Sequence, residues 1–333
     1  MASEDWRVDL LTLDGQTVGV APVVNGSITW DSGQQVWSRA TLTTVGDTTD
    51  WLTHRCRIIY IRDGVENPLF TGAAAGAPES HSDATVETEV SLLDLSSVVA
   101  DDMIGWYSGV AAGANPLTSA HAFLAGYPIP VSLPDVTVTL AADITWSANT
   151  SNLARINDLL SAAGCTPLYT TPMGALQSDP IVPLGDAPIA SVFSPDATLY
   201  RPDWRRNRDI FAVPNRVTAR NRAETPLDVA VDLPPSSRYS FESTGQRRVK
   251  DLGEVDAADL NILTLLAQRA LEESQSPIET REIGHDWDPD LLRWQPAVEH
   301  HHHRVPVLKA RVMSMQHTMQ LGSLWSSTLQ GVA

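Results

Sequence analysis

Apolar and polar residues alternate with a period of two through most of this chain, the spacing of strands with one face buried. Between residues 5 and about 95 the pattern predicts strands at Trp6–Leu13, Gln16–Val20, Ser27–Trp30, Trp37–Thr44, Arg57–Arg62, Leu69–Ala73 and Thr85–Leu93. Asp14-Gly15 is expected as a type I′ hairpin turn, and Asp63-Gly64 turns a later strand. Strands at this spacing suggest a small barrel or sandwich. The chain end repeats the pattern. Met313, Met315, His317 and Met319 share one face of a strand over Lys309–Gln320, and a short turn follows at Leu321-Gly322-Ser323. Trp325, Ser327 and Leu329 then alternate with Leu324, Ser326, Thr328 and Gln330.

Between these regions the period changes. Leu117–Ala125 reads as a short helix ended by Gly126, after which Pro128, Pro130 and Pro134 exclude regular helix. Val136–Leu140 reads as a short strand. Asn152–Ala163 is a helix with Leu153, Ile156, Leu159 and Leu160 on one face, Ser151 as its cap and Gly164 at its end. Cys165–Tyr169 is expected as a buried strand behind it. Strands are expected again at Arg216–Asn221, Asp228–Val231 and Arg238–Glu242. A long amphipathic helix over Asp256–Glu273 places Leu260, Leu263, Leu266, Ala267, Ala270 and Leu271 on one stripe. Asp256 would be its N-cap, Asp259 sits in its first turn, and Pro277 stops it. Such a helix must cover a sheet. The expected fold is therefore mainly β (α+β), with divisions at 1–95, 96–200 and 201–333.

Composition narrows the function classes. The chain of 333 residues carries a net charge of −17, which makes it a poor binder of nucleic acid by phosphate neutralisation. The acidity serves solubility, or a surface from which DNA must slide away. No apolar run of about 18 residues is present, so no membrane span is expected. The acidic start, Met1 to Trp6, is no signal peptide, and assembly in a cytoplasm is expected. Cys56 and Cys165, far apart and without CxxC spacing, are expected to be reduced and buried.

Candidate chemistry is sparse. No Gly-x-Ser-x-Gly, His-Glu-x-x-His, P-loop or Rossmann glycine pattern occurs. No carboxylate pair stands out among the forty acidic residues for glycosidase chemistry. The sequence thus assigns no catalytic residue and no cofactor. His300, His301, His302 and His303 are consecutive. In a strand, alternate members face one side, so they are candidates for a metal a ligand or two short of a full shell; the other reading is a solvated loop between strands. Residues 201–222 hold seven arginines against two aspartates. Arg201, Arg205, Arg206 and Arg208 are candidates for contact with an acidic neighbouring protein, against a reading in which the patch pairs within the chain. The ten tryptophans are read as core or subunit contacts, with a sugar platform as the alternative.

The order of these pieces resembles the baseplate hub, or minor tail protein, at the tail tip of tailed bacteriophages, nearest to those of phages infecting actinobacteria. Ser27–Asp50 followed by Arg57–Gly72 and Val90–Asp94 is similar to the hub's opening barrel. Trp146–Ala163 with Gly164–Tyr169 is similar to its middle domain. Pro214–Thr218, the helix Asp256–Glu273, Asp288-Pro289-Asp290 and the final hairpin resemble its last part. His300–His303 departs from the pattern. The resemblance implies two tail-tube-like β-barrels with an inserted small α/β domain, and a non-enzymatic homotrimer at the distal end of the virion tail. Three chains with two barrels each would match a sixfold tube. The implied partners are the tail tube or distal tail protein ring, other tail-tip or central fibre proteins and the tape measure protein, with genomic DNA only in transit. A peptidoglycan hydrolase, which some hubs carry further along the chain, is expected on another protein.

Overall fold

The computed structural model describes residues 3–332 apart from 47–48, 82–84, 141–142, 183, 196–200, 202–203, 209–212, 222–226, 238, 256–259 and 275–277. The fold is mainly β. Among the described residues its main sheet has fourteen strands. Neighbour to neighbour, it runs from Arg205–Arg208 through Ile278–His285, Trp325–Val332 and Val305–Thr318 to Val23–Asp31. It continues through Ser38–Val45, Val86–Asp94, Val65–Gly76, Arg55–Arg62 and Glu4–Leu11 to Thr17–Val20. Ala297–His302 pairs with Val305–Thr318, and Ile189–Phe193 lies parallel to Ala297–His302.

The first and last parts of the chain meet at one seam. Val305–Thr318 pairs antiparallel with Val23–Asp31, with Ser314 opposite Asp31 and Thr318 opposite Ser27. Arg62 and Asp286 form an ion pair at 2.8 Å, and the Gly322 N–H donates to Glu4 Oε2 at 2.8 Å. One apolar core runs through both parts, from Ile28, Leu42, Ile58 and Phe70 to Val298, Leu308, Met315 and Leu329.

The expected strands are present with shifted ends, and the differences have physical causes. Two consecutive left-handed residues, as a type I′ turn requires, occur at Asp63 (φ 51°) and Gly64 (φ 78°), between the paired residues Arg62 and Val65. At Asp14-Gly15 only the glycine is left-handed, so that hairpin turns otherwise. In Val305–Thr318 the register shifts between Val312 and Ser314. The buried set therefore runs Leu308, Ala310, Val312 before the shift and Met315, His317, Met319 after it, leaving Met313 only partly buried. Trp325, Ser327 and Leu329 are buried as their alternation requires.

Two expected strands are absent. Val136–Leu140 alternates inward and outward but pairs with no strand among the described residues; its bonds go to the loop at 113–115, including Leu140 N–H to Ala114 O at 2.9 Å. Within Arg238–Glu242, Arg238 lies outside the described residues. Ser240 instead caps the short helix Phe241–Thr244, its Oγ accepting from Ser243 N–H at 3.1 Å, and the left-handed Gly245 closes it. Cys165 makes only an isolated bridge to Pro180, and the paired strand behind the helix is Tyr169–Thr170. Both cysteines are buried and free.

The middle of the chain has its own core. Pro116–Leu124 starts with proline and is capped by the Asn115 side chain, and Asn152–Ala162 is capped by Ser151. Both bury their apolar faces with Leu95, Val99, Leu168 and Leu176. The buried Asp94 joins this unit to the main sheet. Its carboxylate accepts from the N–H and hydroxyl of Ser38, the N–H and hydroxyl of Ser96, and the Thr170 hydroxyl, at 2.6 to 2.9 Å. A buried carboxylate needs that many donors to replace water.

The long helix spans Leu260–Ser274; the proposed cap Asp256 and Asp259 lie outside the described residues. It does cover a sheet, a separate one of three strands: Asp228–Asp232, Arg216–Asn221 and Val249–Val255. Leu263, Ala267 and Leu271 pack there on Val217, Ala219 and Leu233.

Candidate interaction surface and buried polar clusters

The arginine-rich segment divides by position. Arg216 pairs with Asp232 at 2.5 Å and Arg220 with Asp228 at 2.6 Å, so those two are held within the chain. Arg201 and Arg205 are exposed. Together with Trp204, Glu282, Leu324 and Trp325 they line an open groove of about 570 Å³. The Arg201 N–H donates to Gly284 O at 2.8 Å, and the arginine stem packs over Gly284. The backbone of Arg205–Arg208 pairs with Glu279–Glu282 of the main sheet, whereas the side chains of Arg206 and Arg208 lie outside the described residues. Exposed arginines around a tryptophan give the groove the residue types that dominate protein contact sites.

Under this groove sits a charged cluster that the sequence reading did not single out. Glu279, Arg281, Ile283 and His285 alternate on one buried face of Ile278–His285. Arg281, 1% exposed, pairs with Glu279, 0% exposed, at 2.8 Å. Its guanidinium also donates to His300 Nδ1 at 3.0 Å and Pro306 O at 3.1 Å, and lies 4.9 Å from the Trp204 ring. A guanidinium only donates, so His300 Nδ1 is the acceptor and the ring is neutral. Burial, with Arg281 beside it, pushes the His300 pKa down to about 4. The only sequence signal for this cluster was the period of two itself, with charged residues in buried positions.

The four histidines separate. His300 lies in Ala297–His302 and is fully buried, which overturns the reading of the run as a solvated loop. His300 and His302 share a side, both edge-on to Trp204 at 5.1 and 5.4 Å. His301 turns away to Glu299, 2.8 Å from its Oε2. His302 and His303 stack at 4.4 Å. Among the described residues no three His, Cys, Asp or Glu side chains come together as metal ligands, and a cation near His300 would face the Arg281 guanidinium.

Two other buried histidines carry structural duties. His285 Nδ1–H donates to Asp286 O at 2.6 Å, which leaves Nε2 to accept from the Ser327 hydroxyl at 2.7 Å. That is half of a nucleophile pair, but both residues are 1% exposed, and a substrate cannot approach the hydroxyl. His317 stacks between Trp325, at 4.4 Å, and Trp6, at 5.2 Å; burial pushes its pKa down to about 4.

No family model matches this sequence, and neither does any curated protein. Solved structures do match, nearly end to end. A tail protein from Neisseria meningitidis superposes with a TM-score of 0.71 at 15% identity, covering 98% of this chain and 96% of its own. The 43 kDa tail protein of prophage MuSo2 from Shewanella oneidensis gives 0.68 at 12% identity, with 98% of each chain covered. The prophage tail protein gp18 from Listeria monocytogenes gives 0.59 at 9% identity, covering 97% and 94%. At these identities the likeness establishes the fold: this chain has the mainly β fold of phage tail proteins. None of the three supports the expectation of an actinobacterial host.

Proposed function

We propose that this protein is a structural component of a phage tail tip: a homotrimeric hub that joins the sixfold tail tube to threefold tip proteins and encloses the DNA exit channel. The observation that carries this reading is the end-to-end likeness to the Neisseria and Shewanella tail proteins, which leaves almost no part of any of the three chains over. In this reading 1–95 and 201–333 supply two tube-like barrels and 96–200 is inserted between them. Three chains then present six barrels to the tube. The charge of −17 keeps DNA sliding rather than bound. The groove of Arg201, Trp204 and Arg205 meets an acidic surface of the tube, the distal tail ring or a tip protein, with Arg206 and Arg208 on the same strand. The tape measure protein and central fibre proteins are the remaining neighbours, and the protein acts without catalysis or cofactor.

Light scattering on the purified chain tests the assembly. The expected mass is about 108 kDa, three times the chain mass of 36.1 kDa. Gold-labelled antibody on virions tests the place: label at the distal tail is expected, and label elsewhere or nowhere overturns the reading.

A further inference from the structure

A cleft of about 490 Å³ opens where the inserted unit meets the C-terminal strands, a volume within the range of roughly 300–1,000 Å³ of small-molecule sites. It has an aromatic wall. The partly exposed Trp294 is backed by Trp37 and Tyr169, each with ring centroids 6.1 Å away, and those two meet edge to face at 5.2 Å. An indole supported from behind by two buried rings cannot turn aside when a ligand approaches. The next residue, Gln295, holds a left-handed backbone at φ 43°, a costly conformation for a non-glycine. Gln295 is pinned there from two sides: its Nε2 donates to Ser32 Oγ at 3.1 Å, and its carbonyl accepts from Arg311 Nη1 at 2.9 Å.

A polar group lines the same cleft. Asp179 Oδ2 accepts from the Tyr169 hydroxyl at 2.6 Å, and Asp179 Oδ1 accepts from Gln177 Nε2 at 3.0 Å. Each carboxylate oxygen thus keeps a further lone pair beyond these bonds, and Asp179 lines the cleft. Arg293 lines the mouth, exposed, and no described residue hydrogen-bonds its guanidinium. Together these form one rigid flat apolar face, one oriented acceptor and one available donor fork.

That combination selects a ligand class. A purely apolar ligand would strip water from Asp179 and Arg293 and return no hydrogen bonds. A polyanion would meet the Asp179 carboxylate in a chain already at −17. A pyranose satisfies all three elements: its C–H face lies flat on an indole, vicinal hydroxyls donate to a carboxylate, and its oxygens accept from a guanidinium. We propose that the cleft binds a saccharide, with one pyranose ring on Trp294, hydroxyls donating to Asp179 and Arg293 donating to the sugar's oxygens. The site does not depend on the hub assembly, since every residue in it comes from one chain.

The test uses the full chain with glucose, galactose, N-acetylglucosamine and glucuronate as probes, read by saturation-transfer NMR and tryptophan fluorescence. At least one sugar is expected to bind, with a dissociation constant near the millimolar range typical of a single small contact set. Trp294→Ala and Asp179→Asn are each expected to weaken it roughly tenfold or more. Arg293→Gln, an exposed substitution that leaves the fold alone, is expected to weaken it in the same direction. Failure of all four sugars to bind at about a hundred times that concentration overturns the proposal. So does binding that survives unchanged in the Asp179→Asn and Arg293→Gln proteins.

Discussion

The two ends of the chain build one sheet but place their buried polar groups differently. The strands between Glu4 and Asp94 bury mostly aliphatic and aromatic side chains, such as Ile28, Leu42, Ile58, Leu69, Phe70 and Leu92, and their buried charged groups Asp9, Arg55 and Asp94 are spread over separate strands. The strands between Ile278 and Val332 bury Glu279, Arg281, His285, His300, His317 and Ser327 among their apolar neighbours. The same period of two produces both. The difference lies in what a mistake would cost. An aliphatic strand that slips by two residues still buries apolar surface. The C-terminal strands cannot slip without separating Arg281 from His300, or Ser327 from His285, and so breaking buried polar contacts. The polar pairs fix the register of this half.

The largest expected effect separates these two modes. Arg281→Ala removes the ion pair to the buried Glu279 and should cost about 3–5 kcal/mol in urea unfolding. The double replacement Glu279→Leu with Arg281→Met should restore most of that loss, because the pair is worth little beyond its own desolvation. A double variant as unstable as the single would break the comparison, by giving the cluster a role other than register. Next, Leu42→Ala in the aliphatic half should cost about 2–5 kcal/mol, with no second replacement able to restore it except one that refills the volume. The smallest effect is pH-dependent. His300 titrates near 4 in the folded chain and near its ordinary value of 6.5 when unfolded. Between those values the unfolded chain binds more protons, so stability is present above about 6.5 and declines as pH falls toward 4. The loss is on the order of 3 kcal/mol when the group is fully protonated, and less at pH 4.5. His300→Gln should flatten that slope in unfolding curves taken at pH 7, 5.5 and 4.5. An unchanged slope would move the acid sensitivity to His317 or to carboxylates.

Legibility in the sequence followed the same division. Alternation alone located the aliphatic strands, because most apolar positions there are buried, although Val18, Val24 and Val65 stay exposed. It located the final hairpin for the same reason, although the face changes at the register shift after Val312 could not be read from residue types. It failed at Val136–Leu140, where alternation exists without a paired strand among the described residues, and at Ser240, whose capping hydroxyl outweighs the pattern around it. The histidine run was misread because four polar residues suggest solvent, and nothing local reveals an arginine arriving from a strand nineteen residues earlier. The cleft beside Trp294 combines residues from 166 to 311, a separation that no local motif spans.

The seam between Val23–Asp31 and Val305–Thr318 also sets an order of events. Asp31 pairs with Ser314, so the partner of this strand leaves the ribosome about 280 residues after it. At roughly 5–20 residues per second, that early strand waits on the order of 15–60 s with one edge unpaired. Such a delay favours a chain whose middle unit, with its own core, folds first and holds the nascent sheet in place until its closing strand is made.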